Sequence, residues 1–216
     1  MPERDSGGVV GVRTMKKQII ASGGFVDTEL MQYILDATGR PFPKIAFLGT
    51  ASLDSPYAAL DFYRMTGKLD CYSTDVFGSP DILLSQDAIF VGGGSTRDLM
   101  VLWYARRISL MLYQAYNQGV VLAGNSAGAN CWFDKCVVNP VGGVYEVGYG
   151  MGILPGCFCP HYEDTSYHNT MLLHGKNGYA CESGSALHFV DGKAYKYING
   201  GMNSFHVVGG VEKLLL

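Results

Sequence analysis

A serine flanked by glycines is the first feature of this sequence that could do chemistry. Residues 124–128 read Gly-Asn-Ser-Ala-Gly, directly after an apolar run that predicts a buried strand and before a segment that predicts a helix. In that setting the pattern is typical of a nucleophile elbow, a turn so sharp that Cβ atoms on its outer residues would collide. Ser126 is therefore the candidate nucleophile, and the amide of Ala127 is a candidate oxyanion donor. The structural alternative is a glycine-rich turn in which Ser126 caps the helix.

Three consecutive glycines at residues 92–94 end another predicted strand. Because they have no side chains, the backbone can approach a ligand closely there, and an amide of Gly93 or Gly94 is a candidate for a second oxyanion donor. The same residues could form a tight turn in which Ser95 or Thr96 caps the next helix, and both interpretations can hold together. No Gly-Lys-Ser/Thr follows, so a phosphate-binding loop is disfavoured.

A serine hydroxyl needs a base to take its proton, and histidine fills that role most often. His161 is the strongest candidate, because residues 157–161 read Cys-Phe-Cys-Pro-His and predict a strand that ends in a proline-fixed corner. His188 lies in a strand-like alternation and is expected to be structural. His168 and His174 fall on a predicted helix, with loose spacing for metal ligands.

Three carboxylates are candidates for orienting that histidine. Glu163 and Asp164 follow His161 closely in the chain, and Glu182 stands at the end of a later predicted strand, beside Ser183. The orienting carboxylate must reach the second ring nitrogen, which sequence spacing does not reveal. Each of the three is equally compatible with a solvated surface charge.

The elements that must position these residues alternate between strands and helices over the first two-thirds of the chain. Short apolar strands separated by helices predict a mainly parallel sheet covered on both faces, that is, an α/β fold with a three-layer α/β/α sandwich. The last third predicts a short antiparallel part. We expect one domain over residues 15–216 after a disordered extension at residues 1–14. The first part has predicted strands at residues 18–22, 44–49, 69–76, 88–91 and 120–123, and predicted helices from residue 27 and at residues 54–66, 97–117 and 127 to about 135.

The bulk composition excludes several classes of function. The 216 residues carry a net charge of −3 and no basic run longer than two residues, so we expect no nucleic-acid partner. We find no apolar stretch of roughly 18 residues and no apolar signal core at residues 1–14, so we expect a cytoplasmic protein with no membrane partner. The six cysteines include no Cys-x-x-Cys pair, and we predict no metal. A homodimer is compatible with the sequence.

Four segments together resemble the peptidase E (aspartyl dipeptidase)/cyanophycinase family. That family is a serine-peptidase branch of the class I glutamine amidotransferase-like fold, a flavodoxin-like sandwich. The similarity extends over residues 16–210, in the family's order, and the combination of segments is specific, although no single one is. The segments are Phe-Val-Gly-Gly-Gly-Ser-Thr at 90–96, Gly-Asn-Ser-Ala-Gly-Ala at 124–129, Leu-Pro-Gly at 154–156 with Cys-Pro-His at 159–161, and Glu-Ser-Gly-Ser-Ala-Leu at 182–187.

The resemblance implies a role for four of the candidate residues. Ser126 would be the nucleophile, and His161 the general base and then the general acid. The amides of Gly93 and Ala127 would donate hydrogen bonds to the oxyanion. A serine at the elbow also separates this chain from true glutamine amidotransferases, which carry a cysteine there.

The third catalytic member of the family is a carboxylate, and here the sequence departs from the family's pattern. The family often has two acidic residues before the glycine, whereas this chain has Glu182 followed by Ser183. The resemblance favours Glu182 for this role, with Glu163 as the alternative.

These observations predict a serine-type peptidase that hydrolyses small peptides through an acyl-enzyme on Ser126, without a cofactor. The best-known relatives cleave beside aspartate, which makes aspartyl dipeptides candidate substrates and would require a cationic pocket. Arg97 is the nearest cation by position, but we expect it to pair with a surface carboxylate. The rate should rise with a base that ionises at about 6–7. There are two alternatives. One is a non-catalytic small-molecule-binding or regulatory protein on the same fold, and the other is an esterase.

Overall fold

A computed structural model describes residues 16–67, 70–75, 77–140 and 143–215, so the predicted extension at residues 1–14 lies outside the described residues. The single domain over residues 15–216 stays a prediction.

The helices are α1 (Thr28–Asp36), α2 (Pro56–Thr66), α3 (Thr96–Ala105), α4 (Ile108–Asn117), α5 (Ala127–Asn130) and α6 (Thr165–Thr170), with short 3-10 turns at Thr50–Ser52 and Pro80–Ser85 and a π turn at Met171–Gly175. The strands are β1 (Gln18–Ser22), β2 (Lys44–Leu48), β3 (Asp70–Thr74), β4 (Ala88–Val91), β5 (Val121–Asn125), β6 (Phe133–Val138), β7 (Glu146–Tyr149), β8 (Leu154–Cys159), β9 (Gly178–Cys181), β10 (Ser185–Val190), β11 (Lys193–Asn199), β12 (Ser204–Val208) and β13 (Val211–Leu215).

Local sequence signals set several helix boundaries. Asp27 caps α1, because its carboxylate accepts a hydrogen bond from the Leu30 amide at 2.8 Å. Ser95 caps α3 in the same way, accepting from the Asp98 amide at 3.2 Å. Helix α2 begins with Pro56, whose missing amide is no loss in a first turn. The predicted cap at Ser95 is therefore confirmed.

The first sheet has seven strands in the order β11-β10-β1-β5-β4-β2-β3. Strands β1 to β5 are parallel, and β10 and β11 add antiparallel strands at one edge. One face packs on α1 and α2 through a core that includes Ile34 and Phe62, and the other packs on α3 and α4 through Leu99 and Trp103. The predicted three-layer sandwich is confirmed. Because β1, β5 and β4 are neighbours, their carboxyl ends lie together at one edge.

The second sheet has six strands in the order β13-β12-β9-β8-β6-β7. It is larger than the predicted short antiparallel part, and its strands β6, β8 and β9 are parallel. Phe133 of β6 stacks on Phe158 of β8 with ring centroids 4.8 Å apart, and it meets Phe189 of β10 edge-on at 5.6 Å. These buried rings join the second sheet to the first in one hydrophobic core.

The long helix predicted at residues 97–117 is two helices, α3 and α4. The helix is interrupted at Arg107, which has a left-handed φ of 59°. Trp103 before the break and Ile108 after it are both buried, so the break lets each helix turn its own apolar face to the core. Neither glycine nor proline marks this position, so the sequence gives no local signal for the break.

The helix predicted from residue 127 to about 135 ends much earlier. Helix α5 is four residues long and stops at Asn130. Trp132 and Phe133 follow it and are fully buried, and Phe133 is already the first residue of β6. A longer helix would carry these two side chains away from the core between the sheets.

The helices are short, and α2, with 11 residues, is the longest of the part of the chain that the structure describes. In those same ranges, no helix has the combination of length and apolar character that crossing a membrane would take.

Candidate active site

In the turn between β5 and α5, the backbone packs so closely that its glycine positions have no space for a side chain. A Cβ atom on Gly124 would lie 2.3 Å from the carbonyl oxygen of Gly128, and one on Gly128 would lie 2.1 Å from that of Val91. Ser126 between them has φ 52° and ψ −115°, a conformation that costs a non-glycine residue roughly 1–3 kcal/mol. Its amide donates to the carbonyl of Ser22 on β1 at 3.1 Å. The strained, closely packed turn is what the glycine pattern predicted.

His161 lies just beyond the end of β8, in the second sheet. Its backbone amide donates to the carbonyl of Gly23, which follows β1, at 2.9 Å. The ring nitrogen Nε2 of His161 lies 2.8 Å from Oγ of Ser126. The structure therefore brings together the two side chains that the sequence singled out, although they come from different sheets.

The other ring nitrogen of His161 contacts a residue that the sequence analysis did not propose. Its Nδ1 lies 3.0 Å from Oγ of Ser183. The Ser183 hydroxyl donates to Oε1 of Glu163 at 2.5 Å, and the Ser183 amide donates to Oε2 of the same carboxylate at 2.9 Å. The side chains Ser126, His161, Ser183 and Glu163 thus form one continuous chain of hydrogen bonds.

The structure does not bring Glu182, the favoured third member, to His161. The carboxylate of Glu182 accepts the amide of Asn203 at 2.8 Å, and the Glu182 amide donates to the Asn203 carbonyl at 3.0 Å. This two-way contact turns Glu182 toward the loop before β12, and its neighbour Ser183 faces the ring instead. One signal for Ser183 was present in the sequence, since this serine stands where the family often has its second acidic residue.

The surroundings of His161 favour its neutral form. Burial lowers the pKa of His161 below its ordinary value, and the carboxylates of Glu163 and Asp164 offset part of that effect. Burial by itself would raise the pKa of Glu163, but hydrogen bonds from the hydroxyl and amide of Ser183 outweigh it and hold that pKa below the ordinary value. At neutral pH the ring is therefore uncharged and able to accept a proton, and the carboxylate is ionised.

Gly24 gives the histidine its room. A Cβ atom on Gly24 would lie 2.8 Å from Cε1 of His161 and 2.5 Å from Oγ of Ser183. The carbonyl of Gly24 accepts a hydrogen bond from Nδ2 of Asn125 at 2.8 Å, which fixes the glycine over the ring. Any larger residue at position 24 would displace the histidine or Ser183.

The two predicted oxyanion donors lie next to Ser126. A Cβ atom on Gly93 would lie 3.4 Å from Cβ of Ser126, so the backbone of residue 93 is close to the candidate nucleophile. Ala127 is the first residue of α5, directly after Ser126. Within the described ranges, the amides of Gly93 and Ala127 have no protein acceptor, which leaves both able to donate to a ligand.

A cavity lies beside Ser126 and is lined by the start of α3, by α5, by the end of β6 with the two residues after it, and by α6. Arg97 lines it, and its Nη2 atom lies 2.6 Å from Oε1 of Glu146, the ion pair expected for this arginine. Tyr167 lines the same cavity, with its ring centroid 5.4 Å from that of His161. Burial first, then the nearby Tyr145, raises the pKa of Tyr167 to about 12, so its hydroxyl is neutral.

Two other histidines have polar partners outside the hydrogen-bonded chain of Ser126 and His161. Nδ1 of His188 hydrogen-bonds the hydroxyl of Tyr33 at 2.9 Å, and burial lowers the pKa of His188 to about 4. Nε2 of His168 lies 3.2 Å from Glu212. Among the described residues, no group of three or more His, Cys, Asp or Glu side chains is arranged to hold a metal. The cysteines with described side chains are buried and unpaired, and burial raises the pKa of each thiol; they are Cys131, Cys136, Cys157, Cys159 and Cys181.

Comparison with known proteins decides the family. The sequence model of peptidase family S51 matches residues 19–197, which contain every side chain of the hydrogen-bonded chain described above. The chain belongs to peptidase family S51. The resemblance to peptidase E seen in the sequence is therefore confirmed, and membership of this family of serine peptidases makes the protein a hydrolase of the peptidase class.

One sequence relative and two solved structures are similar to this S51 peptidase. The chain is 38% identical over 204 residues to the uncharacterized peptidase YgaJ of Bacillus subtilis strain 168, covering 85% of this chain and 87% of the relative. Its fold is similar to that of a peptidase from an acI-B1 actinobacterium, with a TM-score of 0.72, 15% identity and coverage of 94% and 95% of the two chains. It is also similar to a protein assigned as a peptidase E in Listeria monocytogenes EGD-e, with a TM-score of 0.66, 13% identity and coverage of 85% and 100%.

Proposed function

We propose that this S51 member is a serine peptidase that hydrolyses small peptides through an acyl-enzyme on Ser126. The observation that carries the proposal is the 2.8 Å contact between Oγ of Ser126 and Nε2 of His161 at a strained elbow. A nucleophile within hydrogen-bond reach of a base, which is itself held by a third group, is the arrangement that activates serine.

The chemistry follows from the positions of these groups. Oγ of Ser126 attacks the carbonyl carbon of the scissile bond while Nε2 of His161 takes the hydroxyl proton. The oxyanion that forms accepts hydrogen bonds from the amides of Gly93 and Ala127. The imidazolium then gives its proton to the leaving amine, and the carbon–nitrogen bond breaks to leave an ester on Ser126. Water attacks this ester with His161 again as the base, which releases the acid and restores the serine.

The cavity beside Ser126 favours peptides with an uncharged residue at the cleaved bond. Arg97 is the one cation among its described lining residues, and the carboxylate of Glu146 already balances its charge. Aspartyl dipeptides, the substrates that the resemblance suggests, would have to compete with Glu146 for Arg97. We therefore place small neutral peptides first and aspartyl dipeptides second.

Covalent labelling tests the nucleophile directly. A fluorophosphonate should label the native protein once, because only an activated serine attacks the phosphorus, and intact-mass measurement should show one adduct. Ser126→Ala should abolish the adduct and should lower hydrolysis by at least about 10³-fold. Ser85→Ala is the matched control, since the exposed Ser85 hydroxyl donates to the nearby Ile82 carbonyl at 2.8 Å and accepts from Nε2 of Gln86 at 3.2 Å, away from the cavity.

Failure to label would contradict the proposal and would favour a non-catalytic binding protein on the same fold. A substrate screen then separates the two enzymatic candidates. Neutral dipeptides and tripeptides, Asp-X dipeptides and p-nitrophenyl esters would be compared at equal concentration. Activity confined to the esters would replace the peptidase proposal with an esterase.

A further inference from the structure

His161 is oriented by a hydroxyl and not directly by a carboxylate. The partner of its Nδ1 is Oγ of Ser183 at 3.0 Å, and the carboxylate of Glu163 lies behind that hydroxyl. Both oxygens of the carboxylate are bound by the same residue, one by its hydroxyl and one by its amide. Ser183 is therefore hydrogen-bonded to Glu163 through both its hydroxyl and its amide, and its hydroxyl oxygen also contacts His161.

The direction of every hydrogen bond in this chain follows from counting protons. The ionised carboxylate of Glu163 can only accept, so the single hydroxyl proton of Ser183 points to it. Oγ of Ser183 then has only lone pairs left for the ring, and Nδ1 of His161 must carry the proton that it receives. Nε2 is consequently unprotonated and accepts the hydroxyl proton of Ser126. This is the tautomer that a general base requires.

We propose that Ser183 and Glu163 are a pair of positioning residues. The carboxylate of Glu163 polarises the Ser183 hydroxyl, and the hydroxyl oxygen carries that electrostatic effect to Nδ1 of His161. We call this arrangement of Glu163, Ser183 and His161 the relay. The proposal rests on the proposed function of Ser126 and His161. It assigns to the serine the contact that a carboxylate makes in the usual triad, and it explains why a serine can stand beside Glu182 at this position.

The relay has two effects on the reaction. Before attack, it fixes the ring in the tautomer with a free Nε2. During attack, the proton taken from Ser126 makes the ring an imidazolium, and the aligned dipole of the Ser183 hydroxyl and the charge of Glu163 stabilise it. The other groups around the ring are the carboxylate of Asp164, which also raises its pKa, and the neutral Tyr167.

Glu163→Gln is the most direct test, because a glutamine keeps the shape and removes the charge. Its carbonyl oxygen can still accept the Ser183 amide, but its NH₂ group would then donate to the hydroxyl. The hydroxyl proton would turn to Nδ1 and favour the tautomer that cannot accept from Ser126. Glu163 is exposed, so we expect a loss of kcat of roughly 10–100-fold, less than for a buried triad carboxylate.

A double-mutant cycle separates a relay from two independent contacts. Ser183→Ala should also lower kcat by roughly 10–100-fold, and the variant carrying both changes should be no worse than Ser183→Ala by more than about 3-fold. Multiplied losses would overturn the relay. The matched control is Ser185→Ala, which removes a hydroxyl that donates to the Asn203 carbonyl at 2.7 Å and leaves the ring contacts in place. It should lower the melting temperature without changing the pH profile.

Two readouts distinguish the relay from a merely structural role. The acid limb of kcat/KM should move to lower pH in Glu163→Gln, because a charge that raises the pKa of His161 is gone. Loosening that admits water would move it the opposite way, since burial is what lowers that pKa. In ¹⁵N-histidine NMR, the native signal of His161 should be of the Nδ1–H type and should shift to the Nε2–H type in Glu163→Gln.

The outcomes also separate failure of the relay from failure of the proposed function. If the native protein is labelled by a fluorophosphonate but Glu163→Gln keeps full kcat, the native pH profile and the native tautomer, the relay is wrong and the nucleophile stands. If Glu182→Gln, and not Glu163→Gln, shifts the profile, the orienting carboxylate is Glu182 and the relay is again wrong. If the native protein is neither labelled nor active, the proposed function itself has failed.

Discussion

The turn that carries Ser126 and the corner that carries His161 hold their side chains in different ways. At the turn, backbone meets backbone: added Cβ atoms at positions 124 and 128 would lie 2.1–2.3 Å from carbonyl oxygens. At the corner, side chains hold one another through hydrogen bonds of 2.5–3.0 Å, and the three atoms nearest to a Cβ added at Gly24 all belong to side chains. The first region is fixed by the fold itself, and the second by contacts that a single substitution can remove. Changes at the turn should therefore cost stability, and changes at the corner should cost activity.

Gly128→Ala should have the largest effect on folding. Its new methyl group would lie 2.1 Å from the Val91 carbonyl, and backbone cannot yield as a flexible side chain can. We expect the free energy of unfolding to fall by about 3–5 kcal/mol, measured by urea denaturation followed by fluorescence. A variant with native stability would mean that the turn relaxes easily and that the contrast between the two regions is wrong.

Gly24→Ala should instead affect chemistry. The methyl group would meet Cε1 of His161 and Oγ of Ser183, which can move without unfolding the sheet. We expect kcat to fall by roughly 10²–10³-fold, because a small displacement of a catalytic group is costly. The melting temperature should stay within a few degrees of the native value. Full activity, or unfolding like that of Gly128→Ala, would contradict this.

Ser126→Gly should reveal the strain that the nucleophile stores. Glycine tolerates φ 52° without a Cβ penalty, whereas Ser126→Ala keeps that penalty. Both variants should be inactive, and the glycine variant should be more stable than the alanine variant by about 1 kcal/mol. The comparison needs only two denaturation curves, and equal curves would show that the turn is unstrained.

Glu146→Gln should change substrate preference modestly. Removing its charge frees Arg97 to meet an acidic side chain at the cavity, and the effect should be small because both side chains of the ion pair are exposed to solvent. We expect kcat/KM for Asp-Ala to rise about 3–10-fold relative to Ala-Ala. The matched variant Glu146→Gln with Arg97→Ala should lose the gain. No change in the ratio would mean that Arg97 does not contact the substrate residue.

The pH profile should show the smallest displacement. Burial lowers the pKa of His161, so the rate should rise with pH through a base that ionises below the ordinary value of about 6.5. Burial disfavours the imidazolium, so the active neutral ring persists to lower pH than an unperturbed histidine would allow. The midpoint of this rise is measured from steady-state kcat/KM between about pH 4.5 and 8. A midpoint above that of free histidine would show that the two carboxylates outweigh burial.

The sequence predicted the turn well because its signal is local. The spacing of the glycines around Ser126 contains the steric reason for the turn, and the proline before His161 marks the end of its strand. The alternation of strands and helices likewise predicted the first sheet and its layers. None of these inferences required knowledge of which distant residues meet.

The features that the sequence did not predict depend on distant contacts. Ser183 contacts His161, while the neighbouring Glu182 is bound by Asn203, 21 residues further along the chain. The break at Arg107 and the early end of α5 follow from which large side chains the core takes up. Residue type and spacing do not encode these choices, which is why the sequence left both Glu182 and Glu163 open as the orienting carboxylate.

The pairing of β1 with both β5 and β10 has a consequence for the timing of activity. The proposed nucleophile leaves the ribosome 35 residues before its base. Strand β1, the first of the described strands, pairs with β10 only after residues 185–190 have been synthesised. A nascent chain that ends before residue 161 therefore carries Ser126 without His161, and we expect it to lack the activity proposed for the finished protein.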